Sequence, residues 1–149
     1  MKSLFKDLLV LLGVCIGLAM AMPAQAQTLG LMSLTTTTVA TSTTTDVGGT
    51  AIDVATFPDL TVYCAAAATN ASASAAVTFY FAGSPDGTNY TTVCDTNWTA
   101  TATLAGASTV RVAKTFNLEG ARYLKLLKVA NADTNGYISS IAVYYYRRK

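Results

Sequence analysis

The stretch Val77-Thr78-Phe79-Tyr80-Phe81-Ala82-Gly83-Ser84-Pro85-Asp86-Gly87 sets the fold class. Val77, Phe79 and Phe81 take one parity while Thr78 and Tyr80 take the other, the period-two pattern of a strand with a single buried face. Ser84-Pro85-Asp86-Gly87 follows with proline at the second position of a type I turn and Asp-Gly behind it, which predicts a hairpin returning through residues 90–94. The same period recurs outward in both directions. Leu60, Val62 and Cys64 alternate with Thr61 and Tyr63, and Trp98, Ala100, Ala102 and Leu104 alternate with Thr99, Thr101 and Thr103. Leu124 and Leu126 flank an outward Lys125, and Ile141, Val143 and Tyr145 follow the Asp133-Thr134-Asn135-Gly136 turn. No segment carries a convincing amphipathic helical period.

Two strands break their own alternation. Val110, Val112 and Phe116 share a parity with Lys114, which predicts a bulge or strand end at that lysine. Val129 lies on the opposite parity from Leu126, which predicts an irregularity near Leu127. Towards the N-terminus, Ile52 and Val54 open a short strand that stops near Pro58. The threonine-rich run 35–45 has Val39 as its one large apolar residue and reads as an edge strand or a solvated stalk. Short strands at regular spacing predict an all-β fold: a single antiparallel β-sandwich, jelly-roll-like, of seven to eight strands. Residues 27–50 form the Thr-rich N-terminal segment in this reading and residues 51–149 the sandwich core.

Residues 1–26 read as a secretory signal. Lys2 and Lys6 supply a positive start, residues 8–20 an apolar run, and Ala24-Gln25-Ala26 the small residues of a cleavage site between Ala26 and Gln27. The run is shorter than the roughly 20 residues a membrane-spanning helix needs, so a retained anchor is the lesser reading and no span remains after cleavage. Cys15 follows Val14 rather than a small residue, which disfavours lipidation. The expected location is extracellular or periplasmic, or a virion surface. In an oxidising compartment Cys64 and Cys94 are expected to form a disulfide, two buried thiols being the alternative.

Composition excludes several function classes. The chain has no histidine, which removes Ser/His/Asp and Cys/His catalysis and the usual zinc sites. After residue 26 eight basic side chains stand against seven acidic ones, too even a balance for nucleic acid. Asp53, Asp59, Asp86, Asp95, Glu119 and Asp133 could converge as a glycosidase pair only if the fold gathers them. Each reads better as turn chemistry or solvated surface, and no catalytic residue, metal ligand or cofactor is assigned. Asp86 with Asn89, and Asp133 with Asn135, have calcium-type oxygens but no full loop signature, and turn formation is the favoured role. Trp98 reads as core rather than as a sugar platform. Tyr144 and Tyr146 share a face opposite Tyr145 and, if exposed, mark a partner interface. The sequons at Asn70, Asn89 and Asn97 matter only in a glycosylating host.

Two segments carry a resemblance. Residues 79–91, from Phe79-Tyr80-Phe81 through Ser84-Pro85-Asp86-Gly87-Thr88-Asn89-Tyr90-Thr91, resemble the S-x-D-G-x-N-W hairpin of discoidin-type (coagulation factor 5/8 type C) domains. Ala121-Arg122-Tyr123-Leu124-Lys125-Leu126, with the closing strand 138–144, resembles the ARY-type ending of those domains. Both also look like the small β-sandwich proteins of tailed-phage and metagenomic viral genomes. The resemblance implies a sandwich fold and no ligand residue, because the tryptophan- and aspartate-containing strand of the N-terminal half of discoidin domains has no counterpart here and their N-terminal ligand loops do not align with this chain. A structural or adhesive protein is the leading functional reading and a discoidin-like carbohydrate-binding module the alternative. The expected partners are a cell-surface glycan or further copies of the chain.

Overall fold

The computed structural model describes residues 28–35, 38–57, 59–90, 98–118 and 120–147, with backbone only for 28, 29, 34, 35 and 147. The signal segment, Asp95 and Glu119 therefore lie outside the described residues. Nine strands follow in chain order: β1 (Thr28–Thr35), β2 (Thr43–Asp46), β3 (Ile52–Asp53), β4 (Asp59–Ala68), β5 (Ala76–Ser84), β6 (Thr99–Thr103), β7 (Thr109–Asn117), β8 (Tyr123–Asn131) and β9 (Ile138–Arg147). They form two antiparallel sheets, β1-β9-β4-β7 and β2-β8-β5-β6, with β3 pairing β8 beside β2. Leaving out the two-residue β3, the first strand pairs the last, the second the second-last and the third the third-last, and the middle two pair each other. That is the jelly-roll winding, and the antiparallel sandwich expectation holds, with nine strands among the described residues where seven to eight are expected. Among the described residues no helix is long and apolar enough to cross a membrane.

Period-two alternation builds the core directly. Leu60, Val62, Cys64 and Ala66 of β4 face Val77, Phe79 and Phe81 of β5 across the sandwich, all buried, and Phe81 meets Phe116 of β7 with ring centroids 5.1 Å apart. The sandwich also takes in residues before 51. Val39, fully buried, bridges Ile138 across both backbone bonds, and Met32 enters the core as the extra residue of a bulge in β1.

The expected irregularity at Leu127 is present. Tyr80 pairs Lys128 but Phe81 pairs Leu126, so Leu127 is an unpaired bulge residue that lets both Leu126 and Val129 point inward.

Two expectations are corrected. No bulge occurs at Lys114, since β7 pairs β4 without a register shift from Asn117 to Thr109. The lysine keeps its inward parity and stays exposed because β7 is an edge strand, whose inner face is open at its margin; an inward charge on an edge also discourages pairing with another chain. The hairpin partner of β5 is β6 rather than residues 90–94. Tyr90 lies in no strand, and residues 91–94 lie outside the described residues. The Asp86 turn explains why the chain does not fold straight back. Its carboxylate accepts the backbone N–H groups of Thr88 and Asn89, curling the chain around that side chain, and the Tyr90 ring then lies 3.8 Å under the Lys125 ammonium.

Candidate functional site

Among the described residues the carboxylates do not assemble into a site. Asp86 and Asp133 sit beyond opposite ends of the β5–β8 pair, eight residues of strand apart, roughly 26 Å. Asp53 and Asp46 make exposed ion pairs with Arg122 (3.7 Å), the residue before β8, and Lys128 of β8 (3.9 Å). Among the described residues no three His, Cys, Asp or Glu side chains cluster.

Asp86 and Asp133 are wrapped by donors. Asp86 accepts from Thr88 N, Asn89 N, Ser84 Oγ and Asn89 Nδ2 at 2.6–2.9 Å, and the Asn89 backbone N–H foremost holds its carboxyl well below the usual carboxylate range. Buried Asp133 takes Ala75 N and Ser74 N on Oδ2 and Asn135 N and Gly136 N on Oδ1, at 2.7–2.9 Å. These bonds, the Ala75 one first, lower it to about 2. N–H groups point positive ends at both carboxylates, the reverse of what a Ca²⁺ ligand set presents. Asn131, also buried, completes the second network. It accepts Asp133 N and donates to Gly136 O (2.8 Å) and Ala40 O (3.2 Å), joining the β1–β2, β4–β5 and β8–β9 connections.

A pH prediction follows from Asp133. A carboxylate whose folded pKa is depressed contributes stability that is complete above the unfolded value near 4 and is lost as pH falls through the folded value. Thermal midpoints followed by circular dichroism are expected to be flat from neutral pH to about 4.5 and to fall between about pH 4 and 2. Asp133→Asn is expected to lower the neutral midpoint and flatten that acid fall. An unchanged pH profile in the variant would contradict this role.

Trp98 closes one end of the sandwich. It is half-buried, its ring lies against Gly83 Cα, and its Nε1–H donates to Asn117 O at 2.8 Å. Cys64 is buried mid-strand with a free thiol pushed by burial up to about 12. It lies four residues, roughly 13 Å, from the Leu60 end of β4. Cys94 itself lies outside the described residues.

What the pairing does assemble is a face. Register places Leu31 of β1, Tyr144 of β9, Tyr63 of β4 and Ala113 of β7 in one row across the outer side of the first sheet. Leu31, Tyr63 and Tyr144 are 52%, 44% and 37% exposed, against near zero for the inner face. Tyr146 joins them edge-on to Tyr63, with centroids 5.5 Å apart. Beside this row, Ala65, Ala67 and Ala142 form a floor of minimal side chains. Two adjoining depressions of about 220 Å³ each run along β4, sharing Ala65, Arg111 and Tyr144. Arg111 stands on one wall and Tyr144 on the other.

The sequence pointed to Tyr144 and Tyr146 as one face. Tyr63, Leu31 and Arg111 were missed, because adjacency across three strand pairs depends on registers that parity does not give. The signal for Tyr63 was available in its parity, opposite to that of Leu60, Val62 and Cys64.

No protein-family model matches the sequence, and no curated protein sequence matches it. Solved structures are similar in arrangement. The first carbohydrate-binding and catalytic modules of Clostridium thermocellum endo-1,4-beta-D-xylanase 10B match 62% of this chain at 11% identity and a TM-score of 0.43, the chain spanning 17% of that protein. Murine APRIL matches 81% of this chain and 98% of its own at 10% identity and a TM-score of 0.44. An SPBc2 prophage-derived protein matches 85% and 97% at 11% identity and 0.40. None of the three is a discoidin domain. Likenesses this distant carry no correspondence of residues, and a sandwich of this kind hosts many unrelated functions.

Proposed function

We propose that this chain is an exported, non-enzymatic β-sandwich protein that acts at a cell or virion surface in a structural or adhesive role, docking through the outer tyrosine face of its first sheet. The observation that carries the reading is the exposed row of Leu31, Tyr144 and Tyr63, a contiguous apolar and aromatic strip on the side of the sheet that faces solvent. Antiparallel sheets ordinarily turn polar side chains outward, and a contiguous exposed aromatic patch marks an interaction surface. Export rests on the charge, apolar run and Ala24-Gln25-Ala26 site of the first 26 residues. A discoidin-like carbohydrate-binding module is the second reading. It is favoured by the alanine-floored groove between Tyr144 and Arg111, where a sugar ring could lie against a tyrosine while the guanidinium donates to its oxygens.

Surface attachment of the purified chain, measured beside a Tyr63→Ala/Tyr144→Ala variant, tests this. The variant is expected to melt within a few degrees of the parent, since both side chains are outward, and to lose about tenfold or more in attachment to host cells or particles. Unchanged attachment would sink the reading. Hydrolysis of the same surface polysaccharides, abolished by a single Asp→Asn or Glu119→Gln change, would overturn its non-enzymatic part.

A further inference from the structure

We propose that the partner docked on the outer tyrosine face is a second copy of this chain, held by a two-fold axis that crosses the strands at the level of Val62. The inference rests on the docking role of that face and adds the identity of its occupant.

The argument is one of charge and register. Along β4 the outward positions are Asp59, Thr61, Tyr63, Ala65 and Ala67, and opposite them on β7 stand Asn117, Thr115, Ala113, Arg111 and Thr109. Arg111 therefore lies beside Ala65, six residues from Asp59 along the strand, roughly 20 Å. Both are exposed, and among the described residues neither makes an ion pair. Within one copy they are too far apart to meet. Between them lie Tyr63, Tyr144 and Tyr146.

A two-fold axis at Val62 exchanges the rows of Asp59 and Ala65 and the rows of Thr61 and Tyr63. Asp59 then sits over the partner's Ala65, beside the partner's Arg111, and the reciprocal pair forms by symmetry. Tyr144 lies over the partner's Tyr146, and Tyr63 over the partner's Thr61. An isologous interface needs this property, a patch that is its own complement, and here, among the described side chains, each end supplies the charge the other lacks. Four strands across and eight residues along give a footprint of about 500 Å² per copy, about 1,000 Å² in all, enough for a specific but weak association. The small floor of Ala65, Ala67 and Ala142 leaves room for side chains of the facing sheet.

Sedimentation equilibrium over a wide concentration series tests the assignment. The parent is expected to dimerise with rising concentration. Arg111→Asp alone and Asp59→Arg alone are each expected to weaken dimerisation about tenfold, and the double reversal to restore most of the loss, which a merely sticky apolar face would not do. Tyr144→Glu is expected to abolish it. A dimer that is indifferent to both single reversals, or single losses that the double reversal leaves unrepaired, would overturn the proposal. So would a monomer throughout the series; if that monomer still attached to cells or glycans through Tyr63 and Tyr144, the docking role of the face would stand without the second copy. Loss of neither dimer nor attachment in the tyrosine variants would remove both.

Discussion

Phe81→Ala is expected to lower the unfolding free energy by about 3–5 kcal/mol, read as a shift of the urea midpoint at unchanged slope. The ring is fully buried and packs on Phe116 across the gap between the sheets. The backbone on either side cannot easily close the cavity, because β5 is paired to β8 at Phe81 and to β6 as far as Tyr80, while β7 is held by β4. The loss therefore includes both the transfer of the ring to water and the void it leaves. Against the 5–15 kcal/mol typical of a whole domain, that loss brings the protein close to unfolding. Thr115→Ala, on the outer face at the same level of β7, removes one threonine–threonine hydrogen bond of 2.9 Å to Thr61 at an exposed site. It is expected to change stability by no more than about 0.5 kcal/mol. Equal losses in the two variants would mean that the sandwich interior does not dominate stability.

The contrast between these positions also shows what the sequence could convey. Parity alone separates Phe81 from Tyr80 and Cys64 from Tyr63, and it even located the Leu127 bulge, because two buried side chains at odd spacing on one strand demand an extra residue. Lys114 misled for the same reason. Parity assigns it to the inner face, but only sheet order reveals that its strand is an edge, where an inner side chain can still reach water. Strand β1 was not recognised, since Gly30, Ser33 and the bulge at Met32 interrupt its alternation. Val39, as the one large apolar residue of the threonine-rich run, carries no local signal of deep burial. Its burial comes from Ile138, a residue 99 positions away. The tyrosine face belongs with these non-local features. It is produced by three registers together, and no local pattern in the chain encodes a register.

Gly83→Val is the second substitution expected to have a large effect, and it has its own optical readout. Position 83 continues the inward parity of Phe79 and Phe81, yet a Cβ there would overlap the six-membered ring of Trp98 and come within 3.1 Å of Ala121 Cβ. The ring cannot easily step aside, because its Nε1–H is fixed to Asn117 O on the other sheet. Either Trp98 swings out or β5 moves from β8, and overpacking of this kind costs about 1–3 kcal/mol, with about 1 kcal/mol more if the indole bond breaks. Since Trp98 is the chain's one tryptophan, its emission reports the site directly. Gly83→Val is expected to move that emission to the red and raise its quenching by iodide, together with the loss of stability. Gly120→Ala is the matched control. Its φ of +88° makes a side chain costly by about 1–2 kcal/mol, but among the described residues nothing beyond its chain neighbours lies within 4 Å of the added methyl, so stability is expected to fall with no change in emission. A red shift in Gly120→Ala, or an unmoved spectrum in a destabilised Gly83→Val, would show that Trp98 does not close the end of the sandwich through contact with Gly83.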